Sequence, residues 1–244
     1  MPRFFVTKDK INGGEAVIEG QDAFHIARSL RMAVGDVITV SDGEGGEYEG
    51  ELIKIRDEVC VCRLSERIES SRELSVGVTL FMAYPKGDKL ETVIQKSVEL
   101  GVSKIVPFES ARCIKRPKAE KSDKLLQRLN RISEEAAKQC GRAKLPEVTS
   151  PVSFLEMLDM TRELDRVYFC YEDESRVSLK AALEDVKEGA RLGVIVGSEG
   201  GFSPEEAALA TERGCVSVSL GKRILRCETA PLFAMSAIVY KFEL

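Results

Sequence analysis

Of its 244 residues the chain spends none on tryptophan, one on histidine and only 6% on aromatic side chains. With a single imidazole, Ser-His-Asp catalysis, Cys-His catalysis and histidine-ligated metals are excluded unless His25 itself takes part, and in its segment His25 reads as a core residue. The seven cysteines (Cys60, Cys62, Cys113, Cys140, Cys170, Cys215 and Cys227) are odd in number, scattered and without a CxxC pair. That distribution argues against both a disulfide framework and a zinc site. The longest apolar runs, such as 192–196 and 230–234, fall far short of the roughly 20 residues that a membrane-spanning helix needs. Residues 1–10 lack the apolar run of a secretory signal, so a cytoplasmic location is expected. No GxGxxG follows a strand-like run and no GxxxxGK[ST] occurs, so the usual dinucleotide and triphosphate loops are absent.

What is present is a globular composition, 43% hydrophobic and 31% charged, with a net charge of −4. A chain of this length supports one large domain or two unequal ones without staples. The charge is uneven: residues 1–70 carry −5, 71–110 are neutral, 111–144 carry +7 and 145–244 carry −6. One basic block therefore sits inside an acidic protein.

Residues 1–70 read as a small β barrel, with strand patterns at 3–6, 16–18, 37–41, 48–55 and 59–64 and one helix over 21–30. The polar stretch 66–73 is the expected linker. Over 74–244, strand-like runs (76–83, 104–108, 166–171, 191–197, 216–220) alternate with helical patterns (89–100, 121–140, 178–186, 204–213, 229–242). Such alternation predicts a mainly parallel sheet covered by helices.

In the helix over 121–142, Leu125, Leu129, Ile132, Ala136 and Cys140 make one buried stripe. Lys121, Lys124, Arg128, Arg131, Lys138 and Arg142 line the opposite face, and the basic segment 112–118 precedes it. This surface reads either as a polyanion-binding face, RNA above all, or as an ordinary solvated helix face.

Two glycine segments carry the chemistry. In 194–206 a buried strand ends in Gly197-Ser198-Glu199-Gly200-Gly201, and then Ser203, Pro204 and Glu206 supply the cap, first position and capping-box partner of a helix. In 216–231 a strand ends at Leu220-Gly221, followed by a polar excursion and a helix. Both open at the carboxyl ends of parallel strands, where such sheets bind ligands. If the two strands are neighbours, the loops form a pocket of backbone groups that suits a neutral heterocycle better than a triphosphate. Geometry of a tight turn alone would also explain the glycines.

At these residues the sequence resembles the RsmE-type ribosomal RNA uridine-N3 methyltransferases of the SPOUT superfamily. The resemblance rests on Gly-x-Glu-Gly-Gly-Phe-Ser at 197–203 and Leu-Gly-x-Arg-Ile-Leu-Arg-x-Glu-Thr-Ala at 220–230. It also includes Glu91, Gln95-Lys96, Glu99-Leu100-Gly101, Gln139 with Arg142, and His25 to Asp36 with Leu30-Arg31 and Gly35-Asp36. Two departures are Ser198, where the family usually has Pro, and Cys227, where it usually has Thr. The resemblance implies a PUA-like β-barrel domain (1–70) before an α/β domain (74–244) with a mainly parallel sheet that threads a deep trefoil knot. It further implies S-adenosylmethionine as cofactor with no metal, a homodimer packed through the knot region, and 16S ribosomal RNA, within the small ribosomal subunit, as substrate.

On that resemblance, methyl transfer to uracil N3 calls for a group that stabilises the developing anion and one that receives or orients the proton. Arg226 is the candidate for the first role. Glu199 is the candidate for the second, the other reading being a loop carboxylate paired with Arg223 or Arg226. Gly197, Gly200, Gly201, Leu220, Gly221, Ile224 and Leu225, with Tyr171, are the expected cofactor contacts, mostly through main chain. Arg3, Arg28, Arg31, Lys86, Arg112, Lys115, Arg116 and Arg142 are the expected RNA contacts, Arg28 and Arg31 having salt bridges to nearby acids as their alternative. The competing functions are a noncatalytic RNA-binding or ribosome-assembly module and a knotted methyltransferase for another RNA such as transfer RNA.

Overall fold

The computed structural model describes residues 1–114, 122–172 and 177–244. Its contacts divide the chain into two units, Met1–Glu73 with Ala137–Leu145, and Leu74–Ala136 with Pro146–Leu244. Residues 137–145 thus join the first unit although they fall inside the 74–244 stretch. The Glu73 carboxylate accepts the amides of Ala143 and Lys144 at 3.2 and 3.1 Å, and Lys144 bridges to Gly43 and Glu44.

The first unit contains β1 (Arg3–Phe5), β2 (Ile11–Asn12), β3 (Glu15–Glu19), α1 (Gly20–Phe24), β4 (Val37–Ser41), β5 (Gly46–Ile55), β6 (Val59–Leu64) and β7 (Ile68–Glu69). The sheet order is β1-β4-β5-β6-β3-β2, with β7 on β5 inside the expected linker. Alternation decides which side chains turn inward: Ala16 and Ile18 on β3, Ile38 and Val40 on β4, Cys60 and Cys62 on β6 all pack with Phe4, Ile26 and Leu52. The helix expected over 21–30 is interrupted. After α1 a single π turn spans His25–Ser29, closed by the Leu30 amide on the His25 carbonyl, and Arg31 follows at φ 53°. Ala23 and Ile26 are the inward pair of this segment, which turns His25 to solvent against the Phe4 ring rather than into the core.

The second unit contains β8 (Gly77–Ala83), α2 (Lys89–Glu99), β9 (Lys104–Glu109), α3 (Ser122–Cys140, its last turn in the first unit), β10 (Glu147–Val148), β11 (Val152–Ser153) and α4 (Phe154–Met160). It continues with β12 (Arg166–Cys170), α5 (Leu179–Ala182), β13 (Arg191–Val196), α6 (Pro204–Glu212), β14 (Val216–Val218) and α7 (Thr229–Phe242). All strands run parallel in the order β10-β9-β8-β13-β12-β14, with β11 also on β9. Burial on both faces explains the apolar runs at 80–83 in β8 and 192–196 in β13. The helix α4 was not expected, although Ser153 and Glu156 form a complete capping box at its start.

Of the apolar stripe on α3, Leu129 and Ala136 are buried, while Leu125, Ile132 and Cys140 are half-buried. The opposite face is largely neutralised: Arg128 pairs with Glu91 and Arg131 with Glu135, each at 2.9 Å, and Lys138 pairs with Asp22 at 2.9 Å. Lys121 lies outside the described residues.

Candidate active site

The carboxyl ends of β12, β13 and β14 open on a cavity of 470 Å³. Its size is that of a small-molecule site, in the crevice where parallel sheets bind ligands. The two glycine segments line it from opposite sides. Their strands are not neighbours, because β12 lies between β13 and β14 and contributes Tyr171 and Glu172 to the floor. All eight expected cofactor positions, Tyr171, Gly197, Gly200, Gly201, Leu220, Gly221, Ile224 and Leu225, border this one cavity, as do Arg226 and Glu199.

The first loop is held from below and behind. Phe202 is buried, with its ring 4.3 Å from that of Phe169 and 6.3 Å from that of Phe108. Gly201 lies at φ +63°, a left-handed conformation, and a side chain there would also strike the Glu172 carboxylate. Ser203 Oγ accepts the Glu206 amide, while the buried Glu206 carboxylate accepts the Ser203 amide at 3.0 Å and the Ala111 amide at 2.7 Å. That second bond brings Arg112 against Gly200, where the Arg112 guanidinium donates to the Gly200 carbonyl at 3.0 Å. Ser198, the departure from the usual proline, is buried and its hydroxyl donates to the Arg112 carbonyl at 3.5 Å.

Lys89, the first residue of α2, was not singled out by sequence reasoning. Its Nζ is 3.0 Å from Glu199 Oε1, 3.2 Å from Glu228 Oε2 and 3.8 Å from Cys227 Sγ. The Lys86 amide donates to the same Glu199 oxygen at 3.1 Å. Burial pushes the Glu199 carboxyl up, but its own amide, the Lys89 ammonium and the Lys86 amide outweigh burial and hold it below the ordinary value. Glu228 is likewise held low against burial by its own amide, the Cys227 thiol and Lys89, and hydrogen bonds to Glu199 and Glu228 raise Lys89. Burial, with the bond to Glu228, pushes the Cys227 thiol up to about 12, so it serves as a neutral donor and not as a nucleophile. The partner of Glu199 is therefore Lys89 and not Arg223 or Arg226. The exposed Arg226 guanidinium has no hydrogen bond or ion pair among the described residues, while its carbonyl accepts the amides of Thr229 and Ala230 at the start of α7.

The expected RNA contacts fall into three groups. Arg28, Arg31, Lys86 and Arg112 are exposed, Arg28 being paired with Asp57 at 2.8 Å as its alternative reading had it. Arg3 and Arg142 are corrected: the Arg3 guanidinium, 8% exposed, is bound to Ser41 and Glu47, and that of Arg142, 4% exposed, to Glu73. Burial keeps a phosphate from reaching these guanidiniums, and a carboxylate already neutralises the charge of each. Lys115 and Arg116 lie outside the described residues. Among the described residues no group of three or more His, Cys, Asp or Glu is placed to hold a metal ion, and no helix is long and apolar enough to cross a membrane.

A family model described as an RNA methyltransferase domain matches residues 72–239, and one described as an RNA methyltransferase PUA domain matches residues 18–64. The chain is 36% identical over 251 aligned residues to the ribosomal RNA small subunit methyltransferase E of Bacillus subtilis, covering 100% of this chain and 98% of that one. It belongs to the ribosomal RNA small subunit methyltransferase E family. The first unit is accordingly PUA-like and the second is the family's parallel α/β methyltransferase domain. A family member from Neisseria gonorrhoeae, solved bound to S-adenosyl methionine, superposes with a TM-score of 0.86 at 30% identity, covering 99% of this chain and 98% of that one. A Legionella pneumophila methyltransferase solved with the same cofactor gives a TM-score of 0.86 at 28% identity, covering 98% and 97%.

Proposed function

We propose that this protein uses S-adenosylmethionine to methylate N3 of one uridine in bacterial 16S ribosomal RNA. The observation that carries the reading is the single cavity bordered by both glycine loops, in a chain whose relatives bind that cofactor. The residues suit the cofactor. Gly221, at φ +113°, has no atom within 4 Å of where a Cβ would stand, so its backbone faces open space, while Gly197, Gly200 and Gly201 border the cavity from the other side with Phe202, Arg112 and Glu172 packed where their side chains would be. When bound, the cofactor supplies a methyl group on a sulfonium, which needs only an aligned nucleophile and no metal.

The protein's own part is to generate and aim that nucleophile. The uncommitted Arg226 guanidinium at the cavity edge favours the uracil anion, whose charge spreads to O2 and O4. Glu199, held as a carboxylate beside Lys89, is a weak base, so its role in this reading is to orient the uracil, while the N3 proton passes to solvent water as the anion forms and before the methyl group moves. Arg31, Lys86 and Arg112, with Lys115 and Arg116, serve the phosphates.

The finer features belong to the same reading: a trefoil knot through the two glycine segments, a homodimer through the knot region, the small subunit as substrate and the cytoplasm as its site. Exposed Phe233 and Tyr240 on α7, 45% and 73% accessible, support the dimer.

The test is methylation of small subunits from a strain lacking the enzyme, with the product nucleoside mapped. N3-methyluridine at one position is expected; a methyl on another atom or base overturns the assignment. In single turnover, Arg226→Ala should lose roughly 10²–10³ in rate with cofactor affinity intact, and a near-normal rate removes Arg226 from the reaction.

A further inference from the structure

We propose that Lys89 is a positioning residue, a cationic clasp that holds the two cofactor loops at working distance by binding Glu199 on one and Glu228 at the foot of the other. The inference rests on reading the cavity as the S-adenosylmethionine site. Three chain segments far apart in sequence meet at one ammonium: the start of α2, the loop after β13 and the start of α7. The side chains are 31%, 28% and 26% exposed, half sheltered from water, so their charges are less screened than those of the surface pairs.

The geometry is asymmetric. The Lys86 amide independently ties Glu199 to the segment before α2, whereas among the described residues the Glu228 carboxylate has only Lys89 and the weak Cys227 thiol as side-chain donors. Without the ammonium two carboxylates would face one another across the cavity edge, and the freer one, Glu228, would carry the second loop away. Lys89 does not act as a proton acceptor here, since both carboxylates favour its charged form.

Calorimetry of S-adenosylmethionine binding to the full chain tests the clasp, with circular dichroism confirming that each variant is folded. Lys89→Met should weaken binding about tenfold, and Lys89→Arg, whose fork can bridge two carboxylates, should stay within about threefold of wild type. The decisive variant is Lys89→Met with Glu228→Gln: removing one of the two facing charges should recover binding to within about threefold of wild type. Unchanged binding by Lys89→Met, or a double variant as weak as the single one, overturns the clasp while leaving the cofactor reading in place. A wild-type chain that fails to bind S-adenosylmethionine overturns the cofactor reading and the clasp with it.

Discussion

Arg142 and Arg112 belong to the same basic block, yet the first is buried and the second exposed. Arg142 is buried against Glu73, with Nη2 2.6 Å and Nε 3.1 Å from one carboxylate oxygen, while the other oxygen accepts two backbone amides. Removing the guanidinium would leave that carboxylate buried and half satisfied, so Arg142→Ala should cost about 3–5 kcal/mol in urea unfolding. The folded fraction should bind ribosomal RNA with an unchanged dependence on salt. Arg112→Ala should instead lower the slope of log affinity against log salt by about 1, because an exposed guanidinium that meets a phosphate releases a counterion. Nothing in the local sequence separates these two arginines. The difference is burial, and burial is a property of what packs above the residue.

Among the elements, α6 shows where local rules suffice and where they stop. Ser203, Pro204 and Glu206 mark its start in the sequence, and the capping box forms as that spacing demands. The second oxygen of Glu206 then takes the Ala111 amide from a segment near the end of β9, which no cap rule foresees. Glu206→Ala should therefore loosen more than a helix end. Leaving the Ala111 amide unpaired should cost about 1–3 kcal/mol, speed amide exchange over 110–113 and weaken cofactor binding through Gly200. Glu206→Gln has one carbonyl oxygen for the two amides, so it can keep the Ala111 bond only by giving up the Ser203 bond, and it should fall between wild type and Glu206→Ala. Equal exchange rates in Glu206→Ala and wild type would show that the bond does not hold the segment. The short α4 was legible in principle from Ser153 and Glu156, but its seven residues, with only Met157 and Leu158 buried, are too few to generate a helical period.

For the molecule as a whole, the charged cluster at the cavity sets a pH window. Glu199 and Glu228 lie below the ordinary carboxylate range, so their contribution to stability is complete above that range and is lost as pH falls through their lowered values. Lys89 is raised, so its contribution is complete below the ordinary lysine range and is lost as pH rises through the raised value. The stability gap between wild type and Lys89→Met should be flat from about pH 6 to 9 and shrink in acid as the carboxylates are protonated. Urea midpoints across that range check it, and a gap that changes near neutrality would implicate some other group.

The pattern of the chain by itself determined the elements and the loops that end them: β4 at Val37–Ser41, β6 at Val59–Leu64 and α7 at Thr229–Phe242 all coincide with their expected spans. Periodicity, caps and glycine turns are local, because they depend on residues within a turn or two of one another. Tertiary structure alone decided that β12 runs between the two loop-bearing strands, that Lys89 rather than an arginine meets Glu199, and that His25 faces solvent while Arg3 and Arg142 do not. Those outcomes depend on which distant segments share a sheet end or a core. That choice is made by burying whole faces together, and no short stretch of sequence carries it.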